Sequence, residues 1–238
     1  MTNYILHPSQ TRGLADHGWL VSRHTFSFAD YYNPDRMNFG ALRVLNDDVV
    51  AGGKGFGTHP HANMEIISIP LEGDLEHRDS MGNISVIRQG DIQVMSAGSG
   101  ITHSEYNKNL DKPVKFLQIW VVPNQKQVTP RYGQLSLDET TLRNRFQQIV
   151  SPQGGGDGVW IHQEAWFHLG CFEKDFVAEY PMKKSGNGVY LFVIQGDATV
   201  DGHELHERDG LGIVGAQSLA IQSNSNDARI LLMEVPMV

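Results

Sequence analysis

The strongest constraint on this chain is a run of short apolar segments broken by Gly–Asp turns, and the run occurs twice. Segments 64–71, 75–79, 84–88, 92–95, 101–106 and 114–122 are separated by Gly73-Asp74, Met81-Gly82-Asn83, Gly90-Asp91 and a stretch carrying Gly98 and Gly100. Short segments at such close spacing predict strands of a sandwich or small barrel, because none is long enough for a packed helix. Beyond residue 159 the pattern resumes at 189–194, 198–200, 203–207, 211–214, 218–222 and 230–235. Leu-Glu-Gly-Asp at 71–74 matches Ile-Gln-Gly-Asp at 194–197, and the apolar run closing at Pro123 matches the run closing at Pro236. This is an internal repeat. Between the copies, 123–158 is polar, places Leu142, Phe146 and Ile149 at helical spacing behind Asp138-Glu139, and ends in Pro152 and Gly154-Gly155-Gly156. The expected organisation is an N-terminal unit at 1–122, a connector with one short helix at 123–158, and a C-terminal unit at 159–238. Upstream, 20–28 and 39–46 read as strands, the second closed by Asp47-Asp48.

The 238 residues suffice for two domains of about 100 residues each. A net charge of −8 argues against a surface that tracks phosphates, so no direct nucleic-acid partner is expected. With one cysteine, Cys171, no intrachain disulfide can form. No stretch approaches the ~18 apolar residues of a membrane span, and residues 1–10 carry no apolar run behind a basic start. The expected compartment is the cytoplasm. Glycines 52, 53, 55 and 57 suggest a tight backbone path; no Gly-Lys-Ser/Thr follows that would make them a phosphate loop.

Two pairs of metal-binding side chains lie in the first copy. His59-Pro60-His61 and His103-Ser104-Glu105 each place two ligand types two residues apart, and residues i and i+2 of a strand share a face. Neighbouring strands would bring three imidazoles and one carboxylate to one point, a donor set suited to a divalent transition metal with an open coordination position. In the second copy Met182 and Lys184 stand where His59 and His61 stand in the first, and 220–223 offers no ligand. His162, His168, His203 and His206 lack a matching carboxylate partner and read as surface or core histidines.

The motifs Gly53-x5-His59-x-His61-x3-Glu65-x7-Gly73 and Gly90-x5-Ser96-x-Gly98-x4-His103-x3-Asn107 resemble the two cupin motifs, with Ser96 where proline is usual. Trp19, His24-Thr25-Phe26-Ser27-Phe28, Thr58-His59-Pro60-His61, Met95-Ser96-Ala97-Gly98-x-Gly100-Ile101-x-His103-Ser104-Glu105 and Gln118-x-Trp120 resemble the pirin family over essentially the whole chain. The resemblance implies an all-β bicupin of two packed barrels, with one metal, in the N-terminal barrel only. The implied ligands are His59, His61, His103 and Glu105. Glu65, a ligand in generic cupins, would instead sit behind them, holding an imidazole N–H. The implied metal is iron, with nickel, manganese, cobalt, copper and zinc as alternatives. The implied activity is that of a quercetin 2,3-dioxygenase, with a flavonol and dioxygen as substrates and Glu105 as catalytic base. The competing expectation is a metal- or redox-responsive regulator that acts on protein partners.

Overall fold

The structure is a computed structural model that describes residues 1–237. It shows the expected all-β bicupin: each unit is a barrel of one seven-stranded and one four-stranded sheet. The first large sheet runs in the order Arg131–Ser136, Asp91–Ser96, Glu65–Glu72, Val114–Val121, Leu42–Val50, Leu20–His24, Gly13–Asp16. The second runs Asn3–His7, Gly210–Val214, Asn187–Gln195, Ala228–Pro236, Trp166–Phe172, Phe146–Pro152, Val159–Ile161. The order is the same position by position, so the sequence repeat is a structural repeat. The small sheets are Gly55–His61, Ile101–Asn107, Asp74–Asp79, Ile84–Arg88 and, in the second unit, Val177–Pro181, Ser218–Ser223, Ala198–Val200, His203–Leu205.

Two segments cross the sequence-based division. Asn3–His7 pairs with Gly210–Val214 and so edges the second large sheet, while Arg131–Ser136 edges the first. The connector's helical spacing yields a single 3-10 turn, Glu139–Leu142, capped by the Asp138 side chain accepting from the Thr140 N–H at 2.9 Å. The rest of that span is strand Phe146–Pro152 of the second sheet, where Ile149, Val150, Ser151 and Pro152 are all buried, and four successive residues cannot share one helix face. Segment 39–46 also extends further than expected: the strand is Leu42–Val50, and Asp47-Asp48 continues it. Asp47 is held by Arg12 at 3.3 Å and Asp48 by Ser22, which lies directly opposite it, so side chains rather than turn geometry accommodate the two acids. Among the described residues no helix is long and apolar enough to cross a membrane.

The two large sheets pack against each other. Ile67, Ile69, Leu117 and Ile119 of the first meet Phe167, Leu169, Leu231 and Met233 of the second in one fully buried core. The opposite faces look into the barrels, and there the copies diverge. Across the first sheet one register row reads His24, Asn46, Gln118, Ser68, Gln93, Gln134. The matching row of the second reads Gln148, His168, Leu232, Leu191, Leu211. The three leucines close the second barrel with a dry core, whereas the first keeps a polar layer between two apolar caps, one around Leu20, Val50 and Phe116 and the other around Ile66, Met95 and Ile101.

This contrast has a stability consequence. Leu232→Gln, which copies the first barrel's residue, buries an amide without the partners Gln118 enjoys. It is expected to destabilise the protein by about 3 kcal/mol or more in urea unfolding.

Candidate metal centre

Strands Gly55–His61 and Ile101–Asn107 pair antiparallel with His103 directly opposite His59 and Ile101 opposite His61. The pairing slips by one residue between His103 and Glu105, and just beyond the slip Gly55 lies opposite Tyr106, where a Cβ would lie 2.2 Å from the Glu105 carbonyl oxygen. On its other side Ile101–Asn107 pairs with Asp74–Asp79, setting His77 opposite Glu105 and Asp79 opposite His103.

This pairing gathers three imidazoles. Ring centroids of His59 and His103 are 4.5 Å apart, and His61 lies 4.9 Å from each. One ring nitrogen of each of the three lies within 4.8 Å of those of the other two. Burial and the neighbouring imidazoles push His61 down to about 4 and His103 to about 3, so both are neutral at pH 7 and keep a lone pair for a metal. His59 Nδ1 lies 2.7 Å from the Gly57 carbonyl oxygen, which accepts only from an N–H, so the lone pair of His59 is on Nε2.

The tautomer of His103 is set from behind. Asp79 Oδ2 lies 3.1 Å from His77 Nε2 and accepts its proton, leaving His77 Nδ1 as an acceptor. His103 Nδ1 approaches that atom at 3.5 Å and donates to it. His103 Nε2 then carries the lone pair, and this atom is buried without any protein partner. A buried orphan nitrogen is costly, and a metal ion is the group that three such imidazoles would satisfy. The residues therefore fit the metal the fold implies.

Glu105 is buried at the same centre but is grouped differently. Its ligand oxygen lies with His77 and His103 in a second cluster sharing His103, within 4.8 Å. Its two oxygens accept from Gln118 Nε2 at 2.8 Å and Ser68 Oγ at 3.2 Å, both members of the polar row. Glu65 is not behind the ligands. It shares the face of Ile67 and Ile69 toward the second barrel, accepts from Ser96 Oγ at 2.7 Å, and makes no hydrogen bond to an imidazole. Strand alternation accounts for this: Ser68 and Ile66 take the inward positions, so Glu65 points outward. Burial there raises its carboxyl to about 7.

A cavity of about 340 Å³ opens beside the histidines. Trp19, Phe28, Phe56 and Trp120 form its aromatic lining, and Trp120 packs edge-on to His61 at 5.0 Å. Phe26 instead lies between the barrels against Tyr190. The far wall is Ser22, His24, Asn46 and Asp48, all buried. Burial raises the Asp48 carboxyl to about 7. Neither His77 nor Asp48 stood out in the sequence. The signal for His77 was its i, i+2 spacing from Asp79; Asp48 was hidden because Asp-Asp reads as a turn.

The chain matches the Pirin family model over residues 7–121 and the Quercetinase C-terminal cupin domain model over 148–235. It is 41% identical to a quercetin 2,3-dioxygenase of Escherichia coli strain K12 over 98% of this chain and 99% of that protein. It is 37% identical to a pirin-like protein of Caulobacter vibrioides over 95% of this chain and 97% of that protein. The crystal structure of an Escherichia coli bacterial pirin in complex with nickel(II) superposes with a TM-score of 0.93 at 40% identity, covering 99% of this chain and 100% of that one.

Two outcomes follow from the site's hydrogen bonds. His77→Phe keeps a ring but removes both nitrogens, and is expected to weaken metal retention about 10–100-fold in a chelator competition while leaving the fold unchanged. For Asp48 the native state binds the extra proton, since its carboxyl titrates near about 7 against an ordinary 3.8. Stability is therefore lost as pH rises through that window. Asp48→Asn is expected to raise Tm above pH 7 and leave it unchanged below pH 4, as read by thermal melts across pH.

Proposed function

The chain belongs to the pirin family, and from that premise we propose that it is a metal-dependent dioxygenase that opens the ring of a flavonol. The observation that carries the reading is the trio of clustered imidazoles at the wall of an aromatic-lined cavity. His59, His61, His103 and Glu105 would hold one divalent transition metal: iron foremost, with nickel, manganese, cobalt, copper and zinc accepted by the same donors. The metal, when bound, supplies an electrophilic centre that orients the substrate oxygen and lowers its pKa.

The protein's own groups do the rest. Trp19, Phe28, Phe56 and Trp120 offer a flat apolar slot that suits a planar polyphenol and excludes water. Glu105 takes the proton of the flavonol hydroxyl, and the donors Gln118 and Ser68 hold its carboxylate in place for that transfer. Both atoms of dioxygen enter the opened product, and one ring carbon leaves as carbon monoxide.

The test is aerobic quercetin consumption by the metal-free protein and after reloading with each metal in turn, with carbon monoxide as product signature. Metal-dependent loss of quercetin with carbon monoxide release is the expected result. Stoichiometric metal binding without turnover would transfer the weight to the regulatory reading or to another substrate. His59→Ala and His103→Ala are expected to abolish metal retention. Glu105→Gln is expected to lower kcat about 100-fold or more with a smaller change in KM; full activity in all three variants would sink the assignment.

A further inference from the structure

The cavity has two polar walls, and the reading above uses one. The histidines and Glu105 come from the small sheet. Facing the same cavity from the large sheet are Ser22 and Asp48, opposite each other in register, with His24 and Asn46 next along the same two strands. Ser22 Oγ donates to Asp48 Oδ1, and His24 Nδ1 donates to Asn46 Oδ1 at 2.9 Å. These four side chains are at least 96% buried, with Ser22 and His24 each 3%, Asn46 2% and Asp48 4% exposed. Ser22 is the one hydrogen-bond partner of the Asp48 carboxyl among the described residues.

The fold does not require this pair. In the second barrel the strands at the same sheet positions place Phe146 opposite Gly170, and the Phe172 ring packs against Gly170, so apolar groups stand where the first barrel has Ser22 and Asp48. Among the described residues that barrel brings no histidine cluster to the matching place. A buried carboxyl with one partner is an expensive way to line a cavity. The cost is present where the histidines are and absent where they are not.

We propose that Ser22 and Asp48 form a second recognition point for the substrate, hydrogen-bonding a phenolic hydroxyl other than the one that meets the histidine cluster. The substrate class is thereby narrowed to planar polyphenols with hydroxyls at two separated positions. Asp48 suits this better than Glu105, whose oxygens already accept from Gln118 and Ser68. With its carboxyl near neutrality, Asp48 either accepts a phenol proton's hydrogen bond or donates one. The proposal rests on reading the cavity as a flavonol site.

The test measures binding rather than turnover. The metal-loaded protein is titrated anaerobically with quercetin and with 3-hydroxyflavone, which lacks every hydroxyl but one, and quenching of tryptophan fluorescence reports Kd. Wild type is expected to bind quercetin about tenfold or more tightly than 3-hydroxyflavone. Asp48→Ala is expected to erase most of that preference by weakening quercetin alone, with Ser22→Ala intermediate and Asp48→Asn retaining part. Should Asp48→Ala fail to fold, the isosteric Asp48→Asn and Ser22→Ala carry the comparison. Equal affinity of wild type for the two flavonols, binding of neither, or equal weakening of both in the variants would overturn the proposal. Discrimination that depends on Asp48 without any turnover would uphold it and defeat the dioxygenase reading. Turnover without discrimination would do the reverse.

Discussion

The first barrel depends on keeping a polar layer inside a closed β-structure. Each group in that layer loses water on folding and must find a protein or ligand partner. Most do so along the register row: His24 with Asn46, Gln118 and Ser68 with Glu105, His77 with Asp79. Left without a protein partner are His103 Nε2 and, within the row, both polar side-chain atoms of Gln93. His61 and His103 remain neutral because burial and the neighbouring imidazoles disfavour their protonation, and neutrality is the state in which they can bind a cation. Burial thus sets both the cost of the site and its capacity for a metal. The second barrel lowers the cost by placing Leu232, Leu191 and Leu211 in the corresponding row, where His168 is the buried imidazole that remains.

The repeat, the barrels and the three histidines were legible because they are local signals. Short segments between Gly–Asp turns identify strands, and ligands two residues apart on a strand must share a face. The absence of ligands in the second copy was legible for the same reason, but the positions were two residues off: Tyr180, not Met182, takes the place of His59, since it lies opposite Leu219 as His59 lies opposite His103, and Lys184 falls outside the strand. What was not legible depends on pairing between distant segments. Asp47-Asp48 reads as a turn until Ser22 and Arg12 are known to lie beside it. Glu65 was placed behind the ligands, but its inward or outward sense follows from the register of Glu65–Glu72 with Asp91–Ser96 and Val114–Val121. His77 gains meaning only from the strand that sets it opposite Glu105.

The second barrel supports the site mechanically. Its large sheet covers the outer face of the first, so the strands that carry Gln118 and Ser68 on their inner side are clamped on the other by Phe167, Leu169, Leu231 and Met233. A carboxylate positioned by two donors is only as well placed as the strands beneath them.

The edge strand Asn3–His7 imposes an order on assembly. During synthesis its partner Gly210–Val214 is made about two hundred residues after it. The first barrel can close once residue 136 is available, with its histidines already gathered, while the opening strand waits unpaired. Joining two strands across such a separation carries a large loop-closure entropy and belongs to the late, slow part of folding. The half that carries the chemistry is thus complete early, and the half without it is sealed by a segment made before either barrel.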